Sequence, residues 1–204
     1  MPICLPGRIW QANSYIFDTV LIDAGIAAQR IAPYKNQITK IILTHGHFDH
    51  IVHAQEIADI CGADIFIGVK DYAFLSDPAL SLCAHFGSAQ PKVNASILYD
   101  GDVIEGFTVY HTPGHTCGSV CLYRENTLVG GDTVFPTGLY GRTDLPTGND
   151  AEMQSSLQRL NELHVDSIWC GHGKPIAEGA QKHLKLSLEN VKRNLLLSHP
   201  SRDP

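Results

Sequence analysis

The segment THGHFDH, residues 44–50, constrains this chain more than any other stretch, because it holds three histidines and an aspartate within seven residues. It follows the apolar run IIL, which has the length and composition of a buried strand. A rigid sheet holds the loop at the end of such a strand, and loops of this kind carry functional residues. We therefore expect the strand to deliver four side chains to one site: His45, His47, Asp49 and His50.

Three more candidates follow β-like runs and are flanked by glycine or turn residues: His115 in TPGHTCGS, Asp132 in GGDTV and His172 in CGHGKP. Taken singly, each has an ordinary structural explanation. His115 and His172 could be core or turn histidines, Asp132 could be a turn residue, and Asp49 with His50 could begin a helix. Their recurrence at four successive strand ends favours a shared site instead.

The chemistry of this set points to metal ions. Imidazole and carboxylate together suit zinc, iron and manganese, and no thiolate is needed. Five histidines and two aspartates are more than one tetrahedral ion needs. They suit two ions that a carboxylate bridges at a separation of about 3.5–4 Å. Such a pair lowers the pKa of a bound water toward about 7, which makes hydroxide available at neutral pH.

HGHFDH matches the HxHxDH signature of the metallo-β-lactamase superfamily, and the later candidates match its remaining ligands in order. The resemblance covers nearly the whole chain, from NSYIF through GHG. It is strongest to the glyoxalase II-like thioester hydrolases, because GGDTVF and YGRTDLP resemble their segment after the bridging aspartate. The resemblance implies one metal held by His45, His47 and His115, a second held by Asp49, His50 and His172, and Asp132 between them.

The same resemblance implies an α/β fold, the αββα sandwich in which helices flank two mixed β-sheets. It implies hydrolysis of a thioester, of the hydroxyacylglutathione kind, by hydroxide from two divalent ions, with zinc favoured over iron or manganese. Asp49 would ligate and also orient the attacking hydroxide. Arg142, in YGRTD, falls where relatives bind the carboxylate of the thiol, although it could instead be a loop arginine that pairs with Asp144.

Other activities are compatible with the motifs. Persulfide dioxygenases resemble this sequence in their GRTD segment and use one iron, and other relatives cleave lactones, β-lactams or phosphodiesters. A metal-binding module without activity is a further alternative.

The sequence also departs from the family pattern. His53 follows the HxHxDH motif where glycines are common, and it could be an extra ligand or a surface histidine. Cys117 replaces a common proline, and Asp23 in VLIDAG could support the ligand loop or simply form a turn.

The order of predicted elements itself favours an α/β sandwich. Strands are predicted at NSYIF, VLID, KIILT, DIFIG, FTVYHT, SVCLY, TLVG and SIWC. Helices are predicted at 27–34, 51–61, after the Asn149–Glu152 capping box, and at 178–197. We expect one domain over residues 1–204. The helix at 178–197 would stand in place of the longer glutathione-binding helical domain of full-length glyoxalase II proteins.

The composition of the chain limits the classes of binding partner that we expect. The net charge of −6 and the absence of a basic stripe argue against binding nucleic acid or an anionic membrane. Without a secretory signal or an apolar run of about 18 residues, the expected location is the cytoplasm. The six cysteines form no CxxC pair and are expected to be reduced thiols. The expected partner is a small-molecule substrate, and the sequence predicts no oligomeric state.

Overall fold

The computed structural model of the chain describes residues 1–198, so residues 199–204 of the predicted domain lie outside the described part. Eleven strands form two sheets. The first sheet contains, in spatial order, β1 Ile3–Leu5, β2 Ser14–Phe17, β3 Val20–Ile22, β4 Lys40–Leu43, β5 Asp64–Gly68 and β6 Ser96–Leu98. The second contains β7 Val103–Ile104, β8 Phe107–His111, β9 Val120–Arg124, β10 Thr127–Gly131 and β11 Ser167–Cys170, with β11 and β7 at its edges.

Both sheets mix parallel and antiparallel pairs. In the first sheet, β3 through β6 run parallel, whereas β1, β2 and β3 pair antiparallel. In the second, only β10 and β11 are parallel among the strand pairs of residues 1–198. The α-helices of the described residues are α1 Phe48–Ile51, α2 Ala54–Cys61, α3 Asp150–Leu160 and α4 Gln181–Ser198.

Three apolar layers hold the sandwich together. The central layer lies between the two sheets and contains residues such as Ile42, Phe107 and Trp169. A second layer packs α2 on the first sheet, and a third packs α3 and α4 on the second sheet. Alternate strand residues face opposite sides of a sheet, so each sheet can contribute to two layers. The predicted αββα sandwich is confirmed.

Two predicted helices differ in the structure. The segment 27–34 forms two 3-10 turns, Ala28–Arg30 and Ala32–Tyr34, instead of one helix. Pro33 explains the break, because it has no N–H to donate within a continuous helix. The helix predicted at 51–61 divides into α1 and α2 at residues 52–53. Gly62 ends α2 in the left-handed conformation, which glycine adopts without steric cost.

The C-terminal helix begins at Gln181 rather than residue 178, because Gly179 has a φ of 65°. One of the two hydrogen bonds of the α3 capping box is formed: the Asn149 side chain accepts from the Glu152 N–H.

The sequence prediction missed the short strands β1, β6 and β7, each of two or three residues. All six cysteines are free. Within residues 1–198, no helix combines the length and apolar character that crossing a bilayer requires.

Candidate metal centre

All seven predicted ligands come together at one edge of the sandwich. His45 and His47 lie in the loop after β4, and Asp49 and His50 lie in α1, which follows directly. The remaining three follow other strands: His115 lies between β8 and β9, Asp132 follows β10, and His172 follows β11. The strands fix the position of the backbone just before each group of ligands. The ligands themselves lie on the loops and the short helix that follow these strands.

Three of the ligands form a buried histidine group: His45, His47 and His115. Their ring nitrogens converge, with His45 Nε2 3.1 Å and His115 Nε2 2.9 Å from His47 Nδ1. The exposed fractions of the three residues are 1%, 3% and 4%. This group therefore directs three nitrogen ligands at one position, and the three side chains are almost fully buried.

The other group, called here the mixed group, consists of Asp49, His50 and His172. His172 Nε2 lies 3.0 Å and His50 Nε2 3.8 Å from Asp49 Oδ2. Asp132 contacts both groups, since its Oδ1 lies 3.4 Å from His50 Nε2 and its Oδ2 lies 3.7 Å from His115 Nε2. One carboxylate thus joins the two groups.

The donor set fits two divalent cations. In both groups, and in the set of His45, His50 and Asp132, the potential ligand atoms lie within 4.8 Å of one another. His50 Nε2 and Asp132 Oδ1 are buried and have no hydrogen-bond partner among the described residues. Buried polar atoms are normally paired, so these two atoms need a partner that a cation would supply.

Hydrogen bonds outside the two groups orient the imidazoles. His115 Nδ1 donates to the Arg142 carbonyl oxygen over 2.8 Å, and His50 Nδ1 donates to Asp23 Oδ2 over 2.8 Å. Because each Nδ1 carries the proton, each Nε2 is free to bind a metal, as in other metal-binding histidines. Asp23 Oδ1 also accepts from the Thr44 N–H over 2.8 Å, so Asp23 supports the ligand loop, which is one of the two alternatives that the sequence left open.

A second buried aspartate, Asp71, supports the histidine group. Its carboxylate accepts from the Gly46 N–H over 2.8 Å, the Gly118 N–H over 2.7 Å and the Thr116 hydroxyl over 2.8 Å. It thereby ties the loop of His45 and His47 to the loop of His115. Sequence reasoning missed Asp71, which lies in a 3-10 helix within the segment without a clear pattern, and no local signal marks it.

The electrostatics differ between the two groups. Burial, followed by the charge of His115, holds the pKa of His47 at about 3, and burial likewise holds that of His45 well below its usual value. Burial alone would also lower the pKa of His50, but the carboxylates of Asp23, Asp132 and Asp49 raise it well above normal. The mixed group thus attracts positive charge, and a dication can take the place of a proton there.

The structure places three other candidates as follows. His53 pairs with Glu56 over 3.1 Å and is not part of any potential metal group among the described residues. Cys117 Sγ lies 3.7 Å from the Lys70 carbonyl oxygen, and burial raises the pKa of its thiol. Arg142 makes two hydrogen bonds to Asp144, of 2.9 and 2.8 Å. Arg142 also lines a pocket of 440 Å³. Four of the predicted metal ligands line the same pocket: His47, Asp49, His115 and Asp132.

Residues 7–172 match the metallo-beta-lactamase superfamily. The chain belongs to this superfamily. An uncharacterized protein of Aquifex aeolicus is 35% identical over 76% of this chain and 78% of its own length. A probable metallo-hydrolase of Methanocaldococcus jannaschii is 31% identical over 85% of this chain and 93% of its own length. The hydroxyacylglutathione hydrolase of Salmonella typhi is 32% identical over 83% of this chain, which spans 62% of that enzyme.

Solved structures give the same family. TTHA1623, crystallised in a di-iron-bound form, is 28% identical with a TM-score of 0.76, covering 93% of this chain and 96% of the other. BLEG-1, described as a B3 metallo-beta-lactamase, is 28% identical with a TM-score of 0.77, covering 92% and 100%. The family and the His/Asp cluster together indicate a hydrolase that binds divalent metals.

Proposed function

We propose that this chain is a dinuclear metal-dependent hydrolase and that its substrates are thioesters. The observation that carries the proposal is the position of Asp132. Its Oδ2 lies 3.7 Å from His115 Nε2 in the histidine group and 3.5 Å from His172 Nε2 in the mixed group, and its Oδ1 lies 3.4 Å from His50 Nε2 in the mixed group. The histidine group would hold one ion, the mixed group would hold the other, and Asp132 would contact both. The TTHA1623 structure supports a pair of ions, although it does not decide between zinc and iron for this chain.

When bound, a pair of ions polarises a carbonyl and lowers the pKa of a water toward about 7. The protein positions the reactants around that centre. Asp49 directs Oδ2 at His172 Nε2 and lines the pocket. Burial alone would raise the pKa of Asp49, but His50 and His172 lower it, so the group is anionic. Its other oxygen, Oδ1, would then accept a hydrogen bond from the attacking water and orient it, because an ionised carboxylate acts only as an acceptor.

Thioesters suit this site because of their leaving group. A thiol has a pKa of about 8.5, so the thiolate leaves without a proton from a general acid. The similarity to hydroxyacylglutathione hydrolase supports thioesters as the substrate class. This chain covers 62% of that enzyme, and the proposal does not extend to glutathione as the thiol. The similarity to BLEG-1 makes a β-lactam the second candidate substrate.

The first test is the metal content per chain of protein purified without added metal, followed by a substrate panel. We expect about two ions per chain and faster cleavage of a thioester than of the oxygen ester with the same acyl group. Faster cleavage of a β-lactam than of every thioester would favour the second candidate. About one iron per chain, with oxygen uptake on glutathione persulfide, would instead identify a persulfide dioxygenase.

Arg142 is the proposed binding residue for a carboxylate on the thiol. Its guanidinium is exposed and pairs with Asp144, so a substrate carboxylate would compete with that side chain. We expect Arg142→Ala to raise KM for thioesters of carboxylate-bearing thiols and to leave KM for a neutral thiol unchanged. Asp144→Asn is the matched control, because it removes the competing carboxylate and should lower KM for the same substrates. An unchanged KM for Arg142→Ala with every thioester would remove this role.

A further inference from the structure

We infer that the pocket beside the metal centre selects acyl groups that are apolar, and that Leu82 determines this selection. The inference rests on the proposed function and names the kind of thioester that the site takes. The pocket has a volume of 440 Å³, which lies within the range of about 300–1,000 Å³ found for small-molecule sites. That volume accommodates an acyl group and the nearest atoms of the thiol.

The pocket is divided between ligands and apolar side chains. The metal-site residues form one part of its lining, and Leu82, Phe86 and Leu145 contribute apolar surface beside them. Arg142 belongs to the segment that we assign to the thiol. We assign the apolar surface of Leu82 and Phe86, which belong to a different segment of the lining, to the acyl group. An apolar chain that covers this surface would gain affinity by leaving water.

Leu82 has an unusual backbone conformation. Its φ of 63° lies in the left-handed region, where a leucine is strained and a glycine or asparagine is not. Residues held in such conformations cluster at ligand sites, where the surrounding structure imposes them. Here the conformation accompanies an isobutyl group that is half-buried and lines the pocket of the metal centre.

The surrounding structure fixes Leu82 relative to the metal ligands. The Phe48 N–H, next to Asp49, donates to the Ser81 carbonyl oxygen over 2.7 Å. The Ser81 hydroxyl donates to Gln90 Oε1 over 2.6 Å, and Gln90 Nε2 donates to the Phe74 carbonyl oxygen over 3.0 Å. These bonds attach the segment to α1 on one side and to the 3-10 helix of Asp71 on the other. A rigid wall discriminates between acyl groups better than a mobile one.

Aromatic packing holds the other end of this wall. The Phe86 ring lies 5.4 Å from both Trp10 and Phe48, measured between ring centroids. Phe86 nevertheless remains 37% exposed and lines the pocket, so part of its apolar surface is open to a ligand. Leu82 and Phe86 thus both present apolar surface to the pocket, and the residues that hold their segment in place lie on three different segments of the chain.

The test measures binding, which does not depend on turnover. Acetohydroxamate and hexanohydroxamate share a metal-binding head and differ by four methylenes. Each buried methylene adds about fourfold in affinity. By calorimetry on protein loaded with two zinc ions per chain, we expect hexanohydroxamate to bind at least about tenfold more tightly. Leu82→Asn keeps the size of the side chain and tolerates the left-handed backbone, and it should reduce that ratio by about fourfold or more.

Glu125→Gly is the control, because Glu125 also has a left-handed backbone, with a φ of 49°, and does not line the pocket. The ratio of its affinities for hexanohydroxamate and acetohydroxamate should equal that of the unchanged protein. Equal or undetectable binding of the two hydroxamates, or an unchanged ratio in Leu82→Asn, would overturn the inference. A strong preference for hexanohydroxamate without cleavage of any thioester would instead contradict the proposed function and leave the apolar selection intact.

Discussion

The two ligand groups on either side of Asp132 are built differently. The histidine group consists of nitrogen ligands that are almost entirely buried, and Asp71 ties its two loops together. The mixed group contains a carboxylate, and the His172 side chain is 36% exposed. One group is therefore rigid and made of imidazoles alone, whereas the other includes an anionic side chain and is open toward solvent.

This difference indicates a division of labour around one bridging residue. A rigid, buried group suits an ion that stays in place, because its ligands need no rearrangement. A group with an exposed histidine and an anionic carboxylate suits the ion whose surroundings change as substrate and product exchange. The chemistry proposed for Asp49, which belongs to the mixed group, agrees with that division. The variants below test whether the two groups respond separately.

The largest effect is expected for Asp132→Ala, which removes the carboxylate that contacts His115 in one group and both His50 and His172 in the other. We expect each metal affinity to fall by more than the roughly 10- to 100-fold that loss of a supporting hydrogen bond costs. Competition with a chromophoric chelator would measure both affinities. The control is Asp144→Asn, since Asp144 is an exposed carboxylate without a place in either group. Retention of two tightly bound ions in Asp132→Ala would contradict the bridging role.

A selective effect is expected for the two supporting aspartates. Asp71→Asn places an amide N–H against a backbone or hydroxyl donor, so it should weaken metal binding to the histidine group by about 10- to 100-fold. In Asp23→Asn, the remaining side-chain oxygen can accept from the Thr44 N–H while the NH2 faces His50 Nδ1, so the variant should act chiefly on the mixed group. Cobalt titration followed by absorption would distinguish the two, because three imidazoles with the Asp132 carboxylate and a ligand set richer in carboxylate give different spectra.

The same pair of variants needs a control for folding. Buried donors without acceptors cost about 1–3 kcal/mol each, so thermal melting of the metal-free proteins should show a moderate loss for both. If Asp71→Asn and Asp23→Asn weakened the same ion equally, the separation of the two groups would be wrong. If Asp71→Asn changed stability but neither metal affinity, Asp71 would support the fold alone.

The contrast between these aspartates also shows what a sequence can reveal. Asp23 stands at the end of an apolar run, as several of the ligands do, so its position along the chain marks it as a candidate. Asp71 lies 25 residues from Gly46 and 45 from Thr116, and its contacts depend on how three separate segments pack. The layers of the fold and the convergence of the ligands follow from strand patterns and glycine-flanked loops.

Backbone strain and short edge strands are harder to predict from the sequence. Leucine does not signal a left-handed residue, so nothing in the sequence marks Leu82 as unusual. Strands of two or three residues, such as β7, are too short to show alternation. The split between α1 and α2 was hidden for another reason: Ile51, Ala54 and Ala58 are all buried, as in one continuous helix, although the helix is interrupted between them.

The smallest effect is expected for His53→Ala, which tests whether the mixed group has a fourth ligand. His53 lies three residues after His50, a spacing that would bring both to one face of a continuous helix. The interruption at residues 52–53 removes that argument, and His53 instead pairs with Glu56. His53 adjoins α2 without a side-chain capping bond, so its loss should change stability by about 0.5 kcal/mol or less. Elemental analysis should still give two ions per chain, whereas loss of one ion would extend the mixed group to His53.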